Sequence, residues 1–212
     1  MSDPIRIGLC GGTFDPFHLG HSRPVLEVRE AMGWDEVIYI PAFQQPFKLD
    51  RFRTSPFHRY AMTVLGTEAH AGLKTSLFEL EREKTSFTID TLLAFRQHYP
   101  DAVIDWIIGD DNVPALTEWK SWERLFDLSN FIVLSREPRR PEVPVQLAAR
   151  VVPPGERGCH GALAFAANET IKVSSTELRR RIASNEDTGD LLDPRVARYI
   201  SAHGLYRTEE KP

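Results

Sequence analysis

Apolar and polar positions along this chain follow two rhythms that take turns. Residues 5–10 form the short, dense apolar run of a strand, closed by Gly11 and Gly12. From Leu19 onward, Val25, Leu26, Val28 and Met32 follow helical spacing, which predicts a helix. The succession recurs as a strand over 37–40, a helix from 56 to about 70, a strand over 74–78 and a helix over 89–99. Apolar runs at 103–108 and 131–134 add further strands. Strands apolar on both faces, alternating with helices, predict an α/β fold: a doubly wound parallel sheet covered by helices on each side.

The remainder of the chain is less regular. Residues 137–154 hold five prolines and are expected to form an extended surface loop. A weak strand is expected at 162–166, a helix at 175–182, and a final helix whose start is marked by Asp193 and Pro194 and whose end is marked by Gly204. The expected organisation is one domain over 1–212, with a small helical part from about residue 171. In sheets of this kind ligands bind beyond the carboxyl ends of the strands, where the strand order reverses.

Composition narrows the field. A chain of 212 residues suits one domain, and a net charge of −4 argues against binding nucleic acid or an anionic membrane through bulk charge. Two cysteines, Cys10 in a strand and Cys159 in a loop, are too few for an oxidised secreted scaffold. No basic and apolar leader opens the sequence, and no apolar run reaches the ~18 residues of a membrane span. The expectation is a soluble, cytoplasmic protein.

The densest chemistry lies in Gly11-Gly12-Thr13-Phe14-Asp15-Pro16-Phe17-His18-Leu19-Gly20-His21, at the turn from the first strand into a helix. Glycines let a backbone approach a ligand closely, Thr13 offers a hydroxyl, and a helix start presents N–H groups to an anion. His18 and His21, three apart, would share one face of the first turn and could both donate to one anionic group. The stretch is neither a Walker loop nor a dinucleotide fingerprint, and two histidines with Asp15 are too few ligands for zinc. A second cluster, Lys172 to Arg179, opens with Ser174-Ser175-Thr176; Ser174 and Glu177 fit a capping box. Taken alone, these residues leave a plain helix cap and a polyphosphate site equally open. Gly109-Asp110-Asp111-Asn112 follows a strand and could hold ribose hydroxyls or a metal, and Trp119 could stack on a flat ring. Trp106 reads as core, Thr88 alone as a helix cap, and residues 81–84 as a solvated charged segment. His58, His70, His98, His160 and His203 have no recognisable spacing and receive no role.

The first motif together with the late Ser-Ser-Thr-x-x-Arg is similar to the paired signature of the HxGH nucleotidyltransferases. Among these, the chain resembles the bacterial nicotinate-nucleotide adenylyltransferases over nearly its whole length. The matching stretches are residues 11–21 and 41–48, Ser86-Phe87-Thr88 with Thr91-Leu92, Ile108-Gly109-x-Asp111, Trp119, Arg136, residues 174–179 and the ending Leu205-Tyr206-Arg207. The resemblance implies a Rossmann-like fold and transfer of AMP from ATP to nicotinate mononucleotide, giving nicotinate adenine dinucleotide and pyrophosphate. It implies catalytic His18 and His21, and ATP contacts from Gly11, Gly12, Thr13, Phe14, Gly109, Asp111, Ser174, Ser175, Thr176 and Arg179. It places Lys48, Thr88, Asp111, Trp119 and Arg136 around the mononucleotide, and Mg²⁺ on the ATP phosphates with no metal ligand from the protein. One departure stands out: Gln45-Pro46-Phe47-Lys48 replaces the usual Pro-Pro-His-Lys, which leaves room for nicotinamide mononucleotide or another phosphate monoester as acceptor. A non-catalytic nucleotide-binding module is the alternative from a different class. Transferases acting on phosphopantetheine or making CDP-alcohols fit the middle matches less well, and a tRNA synthetase would need a larger, more basic chain.

Overall fold

The computed structural model describes residues 4–44, 46, 54–137 and 139–207. Six strands form one sheet: β1 (Arg6–Gly12), β2 (Glu36–Pro41), β3 (Leu73–Thr75), β4 (Val103–Gly109), β5 (Asn130–Leu134) and β6 (Leu163–Phe165). Their order is β3-β2-β1-β4-β5-β6 and every neighbouring pair is parallel. The order reverses between β1 and β4. The carboxyl ends of these two strands, Gly11-Gly12 and Gly109, therefore border the crevice in which such sheets bind ligands.

Among the described residues seven α-helices accompany the strands: α1 (Leu19–Met32), α2 (Pro56–Thr67), α3 (Phe78–Glu81), α4 (Thr88–His98), α5 (Trp122–Leu128), α6 (Ser175–Ala183) and α7 (Pro194–Ala202). Alternation along the strands divides the core in two. Ile7, Leu9, Ile104, Trp106 and Phe131 face Leu92, Phe95 and Phe126 of α4 and α5. Tyr39, Ile107 and Ile132 face Val25, Val28, Met62, Leu178, Val196 and Ile200 of α1, α2, α6 and α7. Trp106 is thus core, as its position in a strand implied.

The helix signals act where the sequence places them. Pro56 opens α2 behind Ser55, whose hydroxyl accepts from Phe57 N, and Asp193 accepts from Arg195 N at 2.8 Å to start α7. Three expectations need correction. The strand expected at 74–78 ends at Thr75, because Ser76 Oγ accepts from Phe78 N and turns the chain into α3. Residues 137–154 are not all surface loop: a 3₁₀ turn, Val145–Arg150, buries Leu147 completely. Thr88 does not cap α4; it is the first helical residue, and Phe87 occupies the cap position. Among the described residues no helix is long and apolar enough to cross a membrane.

Candidate active site

The crevice is built first by the loop between β1 and α1. Phe14 adopts a left-handed backbone (φ 53°), a conformation that costs a bulky residue energy and recurs at functional sites. Its ring is held by Phe17, His21 and Tyr39 at centroid distances of 5.6, 5.0 and 5.8 Å. His18 is the N-cap residue of α1 and His21 its third residue, so the pair brackets the first turn and shares one face of it. Their rings stack at 3.7 Å and 22°. The His18 N–H donates to His21 Nδ1 at 3.1 Å, which places the proton of a neutral His21 on Nε2. Gly20 is required by contact: a Cβ there would lie 2.5 Å from Val173 Cγ1 and 3.1 Å from the His18 ring.

Both imidazoles are held neutral. Burial, reinforced by the Arg136 charge, pushes His18 down to about 3. Burial, followed by the charges of His18 and Arg136, holds His21 well below the usual histidine value. At neutral pH each ring therefore offers one N–H donor. Burial pushes the neighbouring Cys10 thiol up to about 12, so it is not a nucleophile.

The second cluster docks directly on this loop. Ser175 Oγ donates to Pro16 O at 3.2 Å, and Arg179 Nη1 donates to Asp15 O at 2.6 Å. Two motifs 164 residues apart in the chain are thereby one site. Ser174 caps α6 by accepting from Glu177 N at 3.2 Å. Only half of the expected capping box forms, because the Glu177 carboxylate turns to Arg180 and Arg181. Thr176 Oγ1 lies 3.3 Å from Arg179 Nη2 at the exposed face.

Arg59 and Tyr206, given no role by sequence reasoning, fix the loop from behind, and Asp110, one of the acids noted after β4, holds the chain beyond β5. Arg59, fully buried, donates to Thr13 O at 2.7 Å and to Phe43 O at 3.1 Å. Tyr206 donates to the buried Asp15 carboxylate at 2.6 Å. Asp110 accepts from the Arg136 and Glu137 N–H groups at 2.8 and 3.1 Å. The family-like ending Leu205-Tyr206-Arg207 was the only advance signal for Arg59 or Tyr206.

At the end of β4, Arg136 Nη1 lies 3.5 Å from Asp111 Oδ2. Gly109 leaves space beneath this pair: a Cβ there would lie 2.4 Å from Asp111 Oδ1 and 2.5 Å from Arg136 Nε. Thr88 and Trp119 belong to an adjoining wall. Lys120 sits 4.4 Å over the Phe87 ring and 3.7 Å from Asp90, joining the start of α4 to the turn after β4, while Trp119 stands edge-on to Phe131. Ser86 Oγ accepts from Phe43 N at 3.2 Å and ties this wall to the segment after β2. Lys48, with Gln45 and Phe47, lies outside the described residues. Among the described residues no group of three His, Cys, Asp or Glu side chains is placed to hold a metal ion.

A parallel sheet with a glycine turn, a stacked His-x-x-His pair and a hydroxyl-rich helix start at its switch point defines a nucleotidyltransferase. The cytidylyltransferase-like family model matches residues 9–181, and the chain belongs to that family. A relative from Aeromonas hydrophila, named a probable nicotinate-nucleotide adenylyltransferase, is 36% identical over 208 residues, covering 95% of this chain and 97% of its own. One of the same name from Pseudomonas fluorescens is 38% identical over 209 residues, with 95% and 97% covered. Within its superfamily, the chain is a member of the nicotinate-nucleotide adenylyltransferases. The fold is also that of the Plasmodium falciparum nicotinic acid mononucleotide adenylyltransferase solved with NaAD, at a TM-score of 0.73 and 19% identity, with 95% of this chain and 97% of that one covered.

Proposed function

We propose that the chain transfers the adenylyl group of ATP to nicotinate mononucleotide, releasing pyrophosphate, as a step in NAD biosynthesis. An oxygen of the mononucleotide phosphate attacks the α-phosphorus, a P–O bond forms, and the bond from the α-phosphorus to the bridging oxygen of the leaving pyrophosphate breaks. A phosphate monoester with a second pKa of about 6 is already ionised at neutral pH, so no general base is needed. Catalysis reduces to positioning and stabilising charge.

The observation that carries this reading is the docking of α6 on the histidine loop, Arg179 to Asp15 O at 2.6 Å and Ser175 to Pro16 O at 3.2 Å, which sets two groups of donors around one crevice. His18 and His21, both neutral, would donate hydrogen bonds to the triphosphate as charge redistributes at the α-phosphorus. Ser174, Ser175, Thr176 and Arg179 would hold the departing pyrophosphate at the start of α6. Gly11, Gly12, Thr13 and Phe14 would line the nucleotide, with Gly109 and Asp111 at its ribose. Lys48, Thr88, Trp119 and Arg136 would bind the mononucleotide, whose pyridine carboxylate suits a cation and a flat stacking partner. The divalent ion of such ATP-dependent transfers, which we take to be Mg²⁺, would enter with ATP as part of the substrate.

A coupled pyrophosphate-release assay with ATP and Mg²⁺, comparing nicotinate with nicotinamide mononucleotide, tests the reading. Release that depends on the acid and strongly prefers it is expected. Preference for the amide would move the acceptor assignment to Phe47 and its neighbours, and ATP binding without turnover would indicate a binding module.

A further inference from the structure

Asp110 is the first residue beyond β4, and it is only 4% exposed. Strands β4 and β5 pair in register as far as Gly109 opposite Leu134. Where that backbone ladder stops, the Asp110 carboxylate takes over: Oδ2 accepts from Arg136 N at 2.8 Å and from Glu137 N at 3.1 Å. Oδ1 is buried with no hydrogen-bond partner among the described residues. An acceptor built in for two N–H groups beyond the end of the ladder has a structural reason.

The explanation lies in what is held. Arg136 is the residue whose charge reaches both histidines, and its guanidinium lies with the Asp111 carboxylate directly over Gly109. Its side-chain contact with Asp111 is long, 3.5 Å, and both partners are more than half exposed, so that contact alone is weakly constraining. The main-chain grip of Asp110 is short, charge-assisted and made from a buried carboxylate. Two adjacent carboxylates thus divide the work. Asp111 touches the guanidinium from the solvent side, and Asp110 fixes the backbone that carries it from inside.

We propose that Asp110 is a positioning residue for the transfer reaction: it sets the place of the Arg136 guanidinium over Gly109, so that Asp111 can turn to a ribose hydroxyl without releasing Arg136. The inference rests on the reading of Arg136 as a mononucleotide-binding residue given above.

A double-mutant cycle tests it, with kcat, both KM values and the thermal midpoint measured for Asp110→Ala, Asp110→Asn, Arg136→Ala and the Asp110→Ala/Arg136→Ala pair. Asp110→Ala is expected to raise the KM for the mononucleotide about tenfold, the scale of losing one well-placed charge-assisted contact, with a smaller change in the KM for ATP. Asp110→Asn, whose carbonyl can accept the same two N–H groups, recovers most of that loss. In the Arg136→Ala background, adding Asp110→Ala changes the mononucleotide KM by less than about twofold, because the group it positions is gone. Should Asp110→Ala not fold, Asp110→Ser, which keeps one acceptor, takes its place in the cycle. A full Asp110→Ala effect in the Arg136→Ala background, or an Asp110→Asn variant as impaired as the alanine, overturns the proposal while leaving the Arg136 assignment intact. Wild-type kinetics for Arg136→Ala remove that assignment and the proposal with it.

Discussion

The two ends of the sheet use buried polar groups in opposite ways. At the amino end of the strands, Asp105 is wholly buried in β4, and its carboxylate accepts from Arg6, Arg157, Trp34 Nε1 and Asn130 Nδ2 at 3.2, 3.1, 2.8 and 2.9 Å. Those groups satisfy one another. At the carboxyl end, Thr13 Oγ1, His18 Nδ1 and Asp110 Oδ1 are buried with no hydrogen-bond partner among the described residues. A satisfied network stabilises and specifies the fold, whereas polar atoms left unpaired in a crevice cost stability and suit a ligand that supplies the missing partners. The same sheet is therefore fastened at one end and made receptive at the other.

That contrast can be broken from either side. The largest effect is expected from Asp105→Ala, which leaves the Arg157 guanidinium buried without its carboxylate. Removing one partner of a buried pair costs about 3–5 kcal/mol, so chemical denaturation should show a loss of that size. The folded enzyme should keep its kcat, and a fall in kcat with unchanged stability would contradict the division. His21→Ala should do the reverse. Losing a donor that acts at the transition state costs about 3 kcal/mol, or roughly a hundredfold or more in kcat, while the unfolding midpoint moves by only a few degrees. Turnover close to wild type would remove the histidine pair from the chemistry.

Much of this was legible in the sequence because the signals are local. The alternation of apolar runs gave the sheet and most helices, and residues 11–21 compress the loop between β1 and α1 into one stretch. Helix α5 was missed because seven residues are too few to display a period. The long-range supports of the site were hidden for a different reason. Arg59 reaches Thr13 O across 46 residues, Asp110 reaches Arg136 N across 26, and Tyr206 reaches Asp15 across 191. Bonds from a side chain to a distant backbone or carboxylate leave no spacing to read. The acceptor side was legible mainly through family likeness, and its altered segment, Gln45 to Lys48, falls largely outside the described residues.

The role proposed for the stacked histidines is that of neutral donors to a phosphate, and their protonation states report on it most directly. Burial lowers both rings below the ordinary value, so the folded protein refuses the protons that an unfolded histidine takes up as pH falls through about 6.5. A triphosphate placed against them would favour the charged form and raise both. Following His18 and His21 by ¹⁵N NMR from pH 8 to pH 5, without and with a non-hydrolysable ATP analogue, should show two rings that stay neutral when free and shift toward protonation when the analogue binds. Ordinary titration near 6.5, unmoved by the nucleotide, would contradict it.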